Sequence, residues 1–205
     1  MILGKKTRFR SIEESDLPFL VEWMNDPEIS HLIGGWSYPV SMVEQKEWFH
    51  RSIPDKTTQR WIVERDDGDV IGLTGLWQID LHNRHALTGL KLGPKAIRGR
   101  GYGTDAILTL MSYAFFQVGL NRLWTTILPY NVGSYKAYVK KCGWKIEGMD
   151  RQHVFRDGVF YDQYRVGVLR QDFLALAAGA EYLPAVETNR VEVAAQDLAS
   201  DPSLT

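Results

Sequence analysis

Polar and apolar residues alternate over Thr7–Ile12 (TRFRSI), the two-residue period of a strand with one buried face. A helical period follows, with Leu17, Leu20, Val21 and Met24 on one face; Ser15 or Asp16 can cap it and Pro18 is tolerated in its first turn. Asn25-Asp26-Pro27 ends that helix, and residues 29–40 read as a loop, or as a helix fragment followed by a loop. Ser41 and Glu44 form a capping-box pattern, which starts a helix running to about Ile53. Alternation returns at Arg60–Arg65 and His85–Leu92, and Val70–Ile79 reads as a strand whose glycines hint at bulges or close backbone approach. Asp67-Gly68-Asp69 supplies a hairpin turn. Gly101–Val118 has helical spacing through Ala106, Ile107, Leu110, Ala114, Phe115 and Val118. Arg122–Leu128 is a strand and Asn131–Lys141 a helix, and Trp144–Phe155 pairs with Val159–Leu169 across Arg156-Asp157-Gly158. The predicted order β-α-α-β-β-β-α-β-α-β-β is that of a mixed α+β sheet without internal repeats.

Composition narrows the class. A chain of 205 residues is one domain, or one plus an appendage, and 44% hydrophobic residues suffice for a sizeable core. A net charge of −1 argues against a protein that coats nucleic acid. The charge is unevenly spread. Residues 171–205 hold six acidic side chains and one basic one, so this tail carries −5 and the body +4. Phe173–Tyr182 can form a short helix, and the acidic remainder after Pro184 suits a disordered or extended arm. The single cysteine, Cys142, excludes an internal disulfide and a Cys-rich zinc site; near a helix C-terminus and without a paired base it reads as structural. Five histidines show no metal-ligand spacing, so no metal is expected. No run approaches the roughly 20 apolar residues of a membrane span, and a soluble, cytoplasmic protein is expected.

Chemistry concentrates in Leu90–Ala106 (LKLGPKAIRGRGYGTDA). A strand stops at Gly93-Pro94, and Arg98-Gly99-Arg100-Gly101-Tyr102-Gly103 then leads directly into an amphipathic helix. Glycines permit a tight turn and leave amide N–H groups uncovered; with the helix N-terminus and two arginines they make a pyrophosphate cradle. The competing reading is a Gly-rich turn that merely packs a helix on a sheet. Neither the P-loop pattern nor the dinucleotide fingerprint fits.

Arg98-x-x-Gly101-x-Gly103 resembles the coenzyme A-binding signature of the GNAT N-acetyltransferase superfamily. Asn131-x-x-Ser134-x-x-x-Tyr138, followed by Gly143-Trp144, resembles that superfamily's next conserved segment, with one residue more between Tyr138 and Gly143 than is usual. The ending, from Glu147-Gly148 through Phe155-Arg156-Asp157-Gly158 to Tyr161-Asp162, and the start, Trp23-x-Asn25-Asp26-Pro27 with Pro39-x-Ser41 and Trp48-Phe49, resemble the ribosomal-protein alanine/serine N-acetyltransferase subgroup. The resemblance covers about residues 7–170. It divides the chain into an acetyltransferase domain, 1–170, and an acidic C-terminal extension, 171–205. It implies a mostly antiparallel, twisted sheet of six to seven strands flanked by about four helices, with the fourth and fifth strands splayed.

It further implies direct acetyl transfer from acetyl-CoA to a primary amine of a small molecule (amino sugar, antibiotic or amino-acid-like) or of a peptide N-terminus. The alternative is a non-catalytic acyl-CoA-binding regulatory module. Leu90, Leu92 and Gly93 would offer backbone groups to the pantetheine; Arg98, Gly99, Arg100, Gly101, Tyr102, Gly103 and Thr104 would hold the pyrophosphate; Asn131 and Ser134 would lie near the pantetheine arm. Asn131 most simply caps its helix. Tyr138 is the candidate general acid toward the departing thiolate, against a competing role as a core aromatic, with Tyr135 a neighbouring decoy. Glu28 or His85 is the candidate base, with His31 and His82 also considered; each has a surface or structural role as its competing reading. Trp36, Tyr38, Trp77, Thr88 and Tyr161 would line the acceptor pocket; its aromatic wall suits an amphiphilic amine, and the lack of a strong acidic cluster beyond Asp157 and Asp162 ranks polyamines lower. Neither a nucleic acid nor a membrane is an expected partner, and packing of Phe173–Tyr182 on a second subunit would make a homodimer.

Overall fold

The computed structural model describes residues 1–35, 38–52, 55–93 and 98–183. Its elements are β1 (Ile2–Leu3), β2 (Thr7–Arg10), α1 (Leu17–Asn25), α2 (Pro27–Leu32), α3 (Met42–Ser52), β3 (Gln59–Arg65), β4 (Val70–Asp80), β5 (His85–Leu92), α4 (Tyr102–Phe116), β6 (Arg122–Ile127), α5 (Val132–Tyr135), β7 (Lys145–Arg156), β8 (Val159–Leu169), α6 (Arg170–Ala175) and α7 (Ala177–Ala180). The strands form one sheet in the order β1-β2-β3-β4-β5-β6-β8-β7, eight among the described residues where six to seven were expected. The additional strand is β1, whose two residues are too few to show a period.

Alternation places neighbouring side chains on opposite faces of the sheet. On β3, Ile62 joins the core under α1–α3 with Leu17, Leu20, Trp23 and Ile29, while Val63 joins the larger core under α4 with Met111, Leu123 and Trp144. The capping box of α3 forms as expected: Ser41 N–H donates to Glu44 Oε2 at 2.7 Å and Glu44 N–H to Ser41 Oγ at 3.2 Å. Asp157 and Gly158 both have positive φ (50° and 80°), the requirement of a tight two-residue hairpin between β7 and β8.

Two local features bear on the site. Residues 27–32 are helical, the helix-fragment alternative of the sequence reading. Asp26 ends α1 and caps α2, its Oδ1 accepting from Glu28 N–H at 2.8 Å and Ile29 N–H at 3.1 Å, with Pro27 at the first helical position. After α5, residues Lys136–Lys141 widen into a π turn: Cys142 N–H donates to the Ala137 carbonyl five residues back, at 3.1 Å. A π turn takes up one more residue than an α turn, which accommodates the extra residue between Tyr138 and Gly143.

The C-terminal extension begins on the domain. Phe173 is fully buried against Phe115 and Phe116, with ring centroids 5.8 and 6.3 Å away. Leu176 separates α6 from α7, so the helix expected over Phe173–Tyr182 is two short pieces. Beyond them the Tyr182 hydroxyl donates to Asp105 and the Tyr182 carbonyl accepts from Ser112 Oγ. The rest of the acidic tail lies outside the described residues.

Candidate active site

β5 and β6 are the parallel neighbours in the sheet, and they pair only at their starts: His85 with Arg122, Ala86 with Leu123, Leu87 with Trp124. Beyond Leu87 the strands diverge, the splay expected between the fourth and fifth predicted strands, and Thr88–Leu92 have no ladder partner on that side. A cavity of about 510 Å³ opens there, floored by Leu90–Leu92 and walled by the Arg98–Thr104 turn, the start of α5 with its π turn, and α2.

The glycine turn has the expected form. Gly99 and Gly101 have φ of 79° and 91°, the left-handed region a side chain resists, and Gly101 caps α4 with its backbone alone. The first amides of α4 therefore point outward with the positive end of the helix dipole behind them. Leu92 and Leu90 lie beneath, 3.4 and 3.9 Å from where a Cβ on Gly103 would stand. Arg98, Gly99, Gly101, Gly103 and Thr104 line the cavity. Gly93 packs its backbone on the Trp23 indole, and Arg100 turns its carbonyl toward Lys6 Nζ at 3.3 Å. These residues fit a phosphate-bearing ligand: open amides, a cation, and an unpaired strand edge for an extended arm.

Asn131 both caps and bridges. Its Oδ1 accepts from Ser134 N–H at 3.0 Å, and its Nδ2 donates to the Leu32 carbonyl at 2.9 Å. Two more donors reach the end of α2: the Tyr130 hydroxyl to the His31 carbonyl at 2.9 Å, and Arg156 Nη2 to the Ile33 carbonyl at 3.2 Å. Carbonyls left free by the helix end are thus satisfied by the β6–α5 turn and the β7–β8 hairpin. His31 stacks on Tyr130 (4.7 Å), which meets Tyr161 edge-on (5.0 Å).

Tyr138 lines the inner cavity wall, held edge-on against Trp144 at 4.9 Å. Burial, with a smaller contribution from Cys142, raises its phenol above the ordinary value, so the proton stays on oxygen at neutral pH. Tyr135 is turned away, with Lys140 Nζ 5.7 Å from its ring centroid. Cys142 is fully buried, and burial pushes its thiol up to about 12, as suits an inert core residue.

The candidate bases part company. Glu28, on α2, meets the cavity-lining Arg98, its Oε1 accepting from Arg98 Nη1 at 2.5 Å. His85 stands at the opposite end of β5, about 16 Å from Leu90 at 3.3 Å per residue, with Nε2 3.8 Å from Asp80. His82 lies on the β4–β5 turn. Among the acceptor candidates, Thr88 is buried and donates to the Gly75 carbonyl at 2.7 Å, which ties β4 to β5. Trp77 lays its indole over Gly75 and Gly89. Tyr38 is exposed, and Trp36 lies outside the described residues. Sequence reasoning passed over Tyr130 and the Lys91 side chain. Lys91 carried a usable signal, as a lone cation in an otherwise apolar strand end beside the glycine turn.

Comparison with known proteins agrees with this geometry. The acetyltransferase (GNAT) domain family matches residues 6–145, and the chain belongs to it: it is an enzyme that acetylates amines. YokL, a prophage-derived uncharacterized N-acetyltransferase of Bacillus subtilis strain 168, is 25% identical over 171 residues, 83% of this chain and 93% of its own. The spermidine N(1)-acetyltransferase of Vibrio cholerae serotype O1 is 24% identical over 172 residues, covering 84% and 98%. A crystal structure of spermidine N-acetyltransferase from Vibrio cholerae with CoA and spermine superposes with a TM-score of 0.77 at 24% identity, over 82% of this chain and 98% of that one, which shows the shared fold.

Proposed function

We propose that this enzyme transfers an acetyl group directly from acetyl-CoA to a primary amine of a small molecule or peptide. One observation carries the reading: the splay between β5 and β6 joins an outward-facing, glycine-capped helix start to a buried phenol across a single cavity. In this reading the free edge of Leu90–Gly93 binds the pantetheine amides, and the Arg98–Thr104 turn holds the pyrophosphate with Arg98 as its charged donor. The thioester then lies near Ser134 and Tyr138, and the Tyr138 hydroxyl gives its proton to the CoA thiolate as the amine attacks the carbonyl carbon. Glu28 is the better placed candidate base, since phosphate on Arg98 would compete for its partner. His85 stands too far from the cavity for that task.

Resemblance to the ribosomal-protein subgroup supports a peptide N-terminus as acceptor, and the Vibrio enzyme's name supports a small amine. The catalytic domain ends near residue 170, and 171–205 is an extension whose described part, 171–183, packs on it. Exposed Ile146, Met149, Phe155 and Phe160 on β7–β8 support self-association, as in a homodimer. The test is thiol release from acetyl-CoA with a mixed panel of amines. Tyr138→Phe should lower kcat about a hundredfold and leave acetyl-CoA affinity unchanged. Unaltered turnover would remove Tyr138 from the mechanism, and CoA binding without turnover on any amine would favour the non-catalytic alternative.

A further inference from the structure

β5 presents different chemistry on its two faces. Leu90 and Leu92 pack with the α4 core, beneath the glycine turn. Lys91 points the other way. Its ladder partner on β4 is Leu73, which packs against the α1–α3 core, and directly opposed residues share a face. The same face carries the pairs Gly75–Gly89 and Trp77–Leu87. The Trp77 indole leans over the two glycines, so the surface between Trp77 and Lys91 is backbone.

The Lys91 ammonium reaches Met24 Sδ of α1 at 2.7 Å, and a thioether is only a weak acceptor. Burial lowers this ammonium to about 8, a sign that no carboxylate compensates its charge. The titratable side chains lining the cavity, among the described residues, are Lys91, Arg98, Tyr130, Lys136, Tyr138 and Lys141, with no Asp or Glu. Two carboxylates of the flanking elements have partners of their own: Glu28 meets Arg98, and Asp157 lies 3.7 Å from His31 Nδ1. A half-buried cation with no carboxylate partner among the described residues, on the face away from the phosphate turn, is suited to an anion that arrives with the second substrate.

We propose that Lys91 is an anion anchor in the acceptor half of the cleft, and that the amine this enzyme acetylates carries a carboxylate. This rests on the acetyltransferase reading above and names its acceptor class: amino-acid-like amines, with polycations disfavoured by the same charge. The shared chemistry is an anionic oxygen on an ammonium. The CoA pyrophosphate is the other source of such an oxygen, and the test separates the two.

Full-length enzyme is assayed for thiol release with a panel of amino acids, each beside its C-terminal amide, and with spermidine. The wild-type enzyme should favour acids over amides by about tenfold to a hundredfold in kcat/KM, and spermidine should be the poorest acceptor. Lys91→Met should erase the acid-over-amide ratio by raising the KM for the acids. Equal use of acids and amides by the wild-type enzyme, or a preference for spermidine, overturns the proposal while the acetyltransferase reading stands. So does a variant that keeps the ratio and loses acetyl-CoA affinity, because Lys91 then serves the phosphates. Where no amine turns over, calorimetric titration of the CoA-saturated protein with N-acetylated amino acids and their amides decides. Binding of the acids by wild type and not by Lys91→Met upholds the anchor even as the catalytic reading fails; binding of neither overturns it.

Discussion

At Gly101 the first turn of α4 offers backbone amides and the nearby Arg98 side chain to an open cavity. Four residues on, Asp105 in the same turn holds a buried carboxylate that accepts from Lys5 N–H (3.1 Å), Lys6 N–H (3.1 Å), Thr7 Oγ1 (2.6 Å) and the Tyr182 hydroxyl. Both places use the positive end of a helix. At Asp105 the anion belongs to the chain, and its donors come from both termini. Around Gly101, Arg98 already meets Glu28 of the chain, and the backbone amides are left for an anion that comes from outside. An internal anion with its full set of donors adds stability. Donors held ready without an anion add affinity for whatever brings one.

Cutting the chain after Leu169 strikes hardest at the closed half of this pair. It removes Phe173 from the core, a loss of about 3–5 kcal/mol by itself, and it removes the Tyr182 donor as well. Against a total stability of roughly 5–15 kcal/mol, the truncated protein should lack a cooperative melting transition by circular dichroism. A folded, active truncation would show that the extension decorates the domain without securing it. Asp105→Asn comes next. It removes the charge that gathers both termini and should cost about 3 kcal/mol or more, read as a lower urea midpoint at unchanged slope.

Gly101→Ala attacks the open half. A non-glycine residue at φ 91° costs about 1–3 kcal/mol, and the turn can relax only by rotating its amides. Affinity for CoA should fall about tenfold by calorimetry, with less change in the urea midpoint than Asp105→Asn gives. The two variants should therefore trade places between the two measurements. If Gly101→Ala lost stability and kept affinity, the turn would be a packing device, as the competing sequence reading had it.

The open half of α4 was legible in the sequence and the closed half was not, for a physical reason. Glycine spacing before a helical period is a local signal, and Arg98-x-x-Gly101-x-Gly103 carries it within six residues. Asp105 draws its donors from residues 5–7 and 182, and no local pattern announces contacts across a hundred residues. The same distinction explains the rest. The capping box at Ser41 was readable because both partners lie three residues apart. Pro27 was read as a stop when it also started α2, since one proline suits both the end of one helix and the first position of the next. Alternation over His85–Leu92 does not tell that Lys91 meets α1, because Met24 lies 67 residues away in the chain. His85 opens β5, and the strand's rise sets it at the end away from Leu90–Leu92.

Tyr182→Phe asks whether the two halves are independent. It removes one donor from Asp105 and leaves the two backbone amides and Thr7 in place, so the carboxylate remains largely satisfied. The expected loss is about 1 kcal/mol, a small fall in the urea midpoint. Asp105 lies one helical turn from Gly101, close enough for the variants to couple through the backbone. If the halves are separate, the KM for acetyl-CoA stays at the wild-type value and the double variant with Gly101→Ala adds the two losses. If the KM rises with Tyr182→Phe alone, the C-terminal clasp sets the pitch of the first turn of α4. The acidic extension would then be part of how the enzyme holds its cosubstrate.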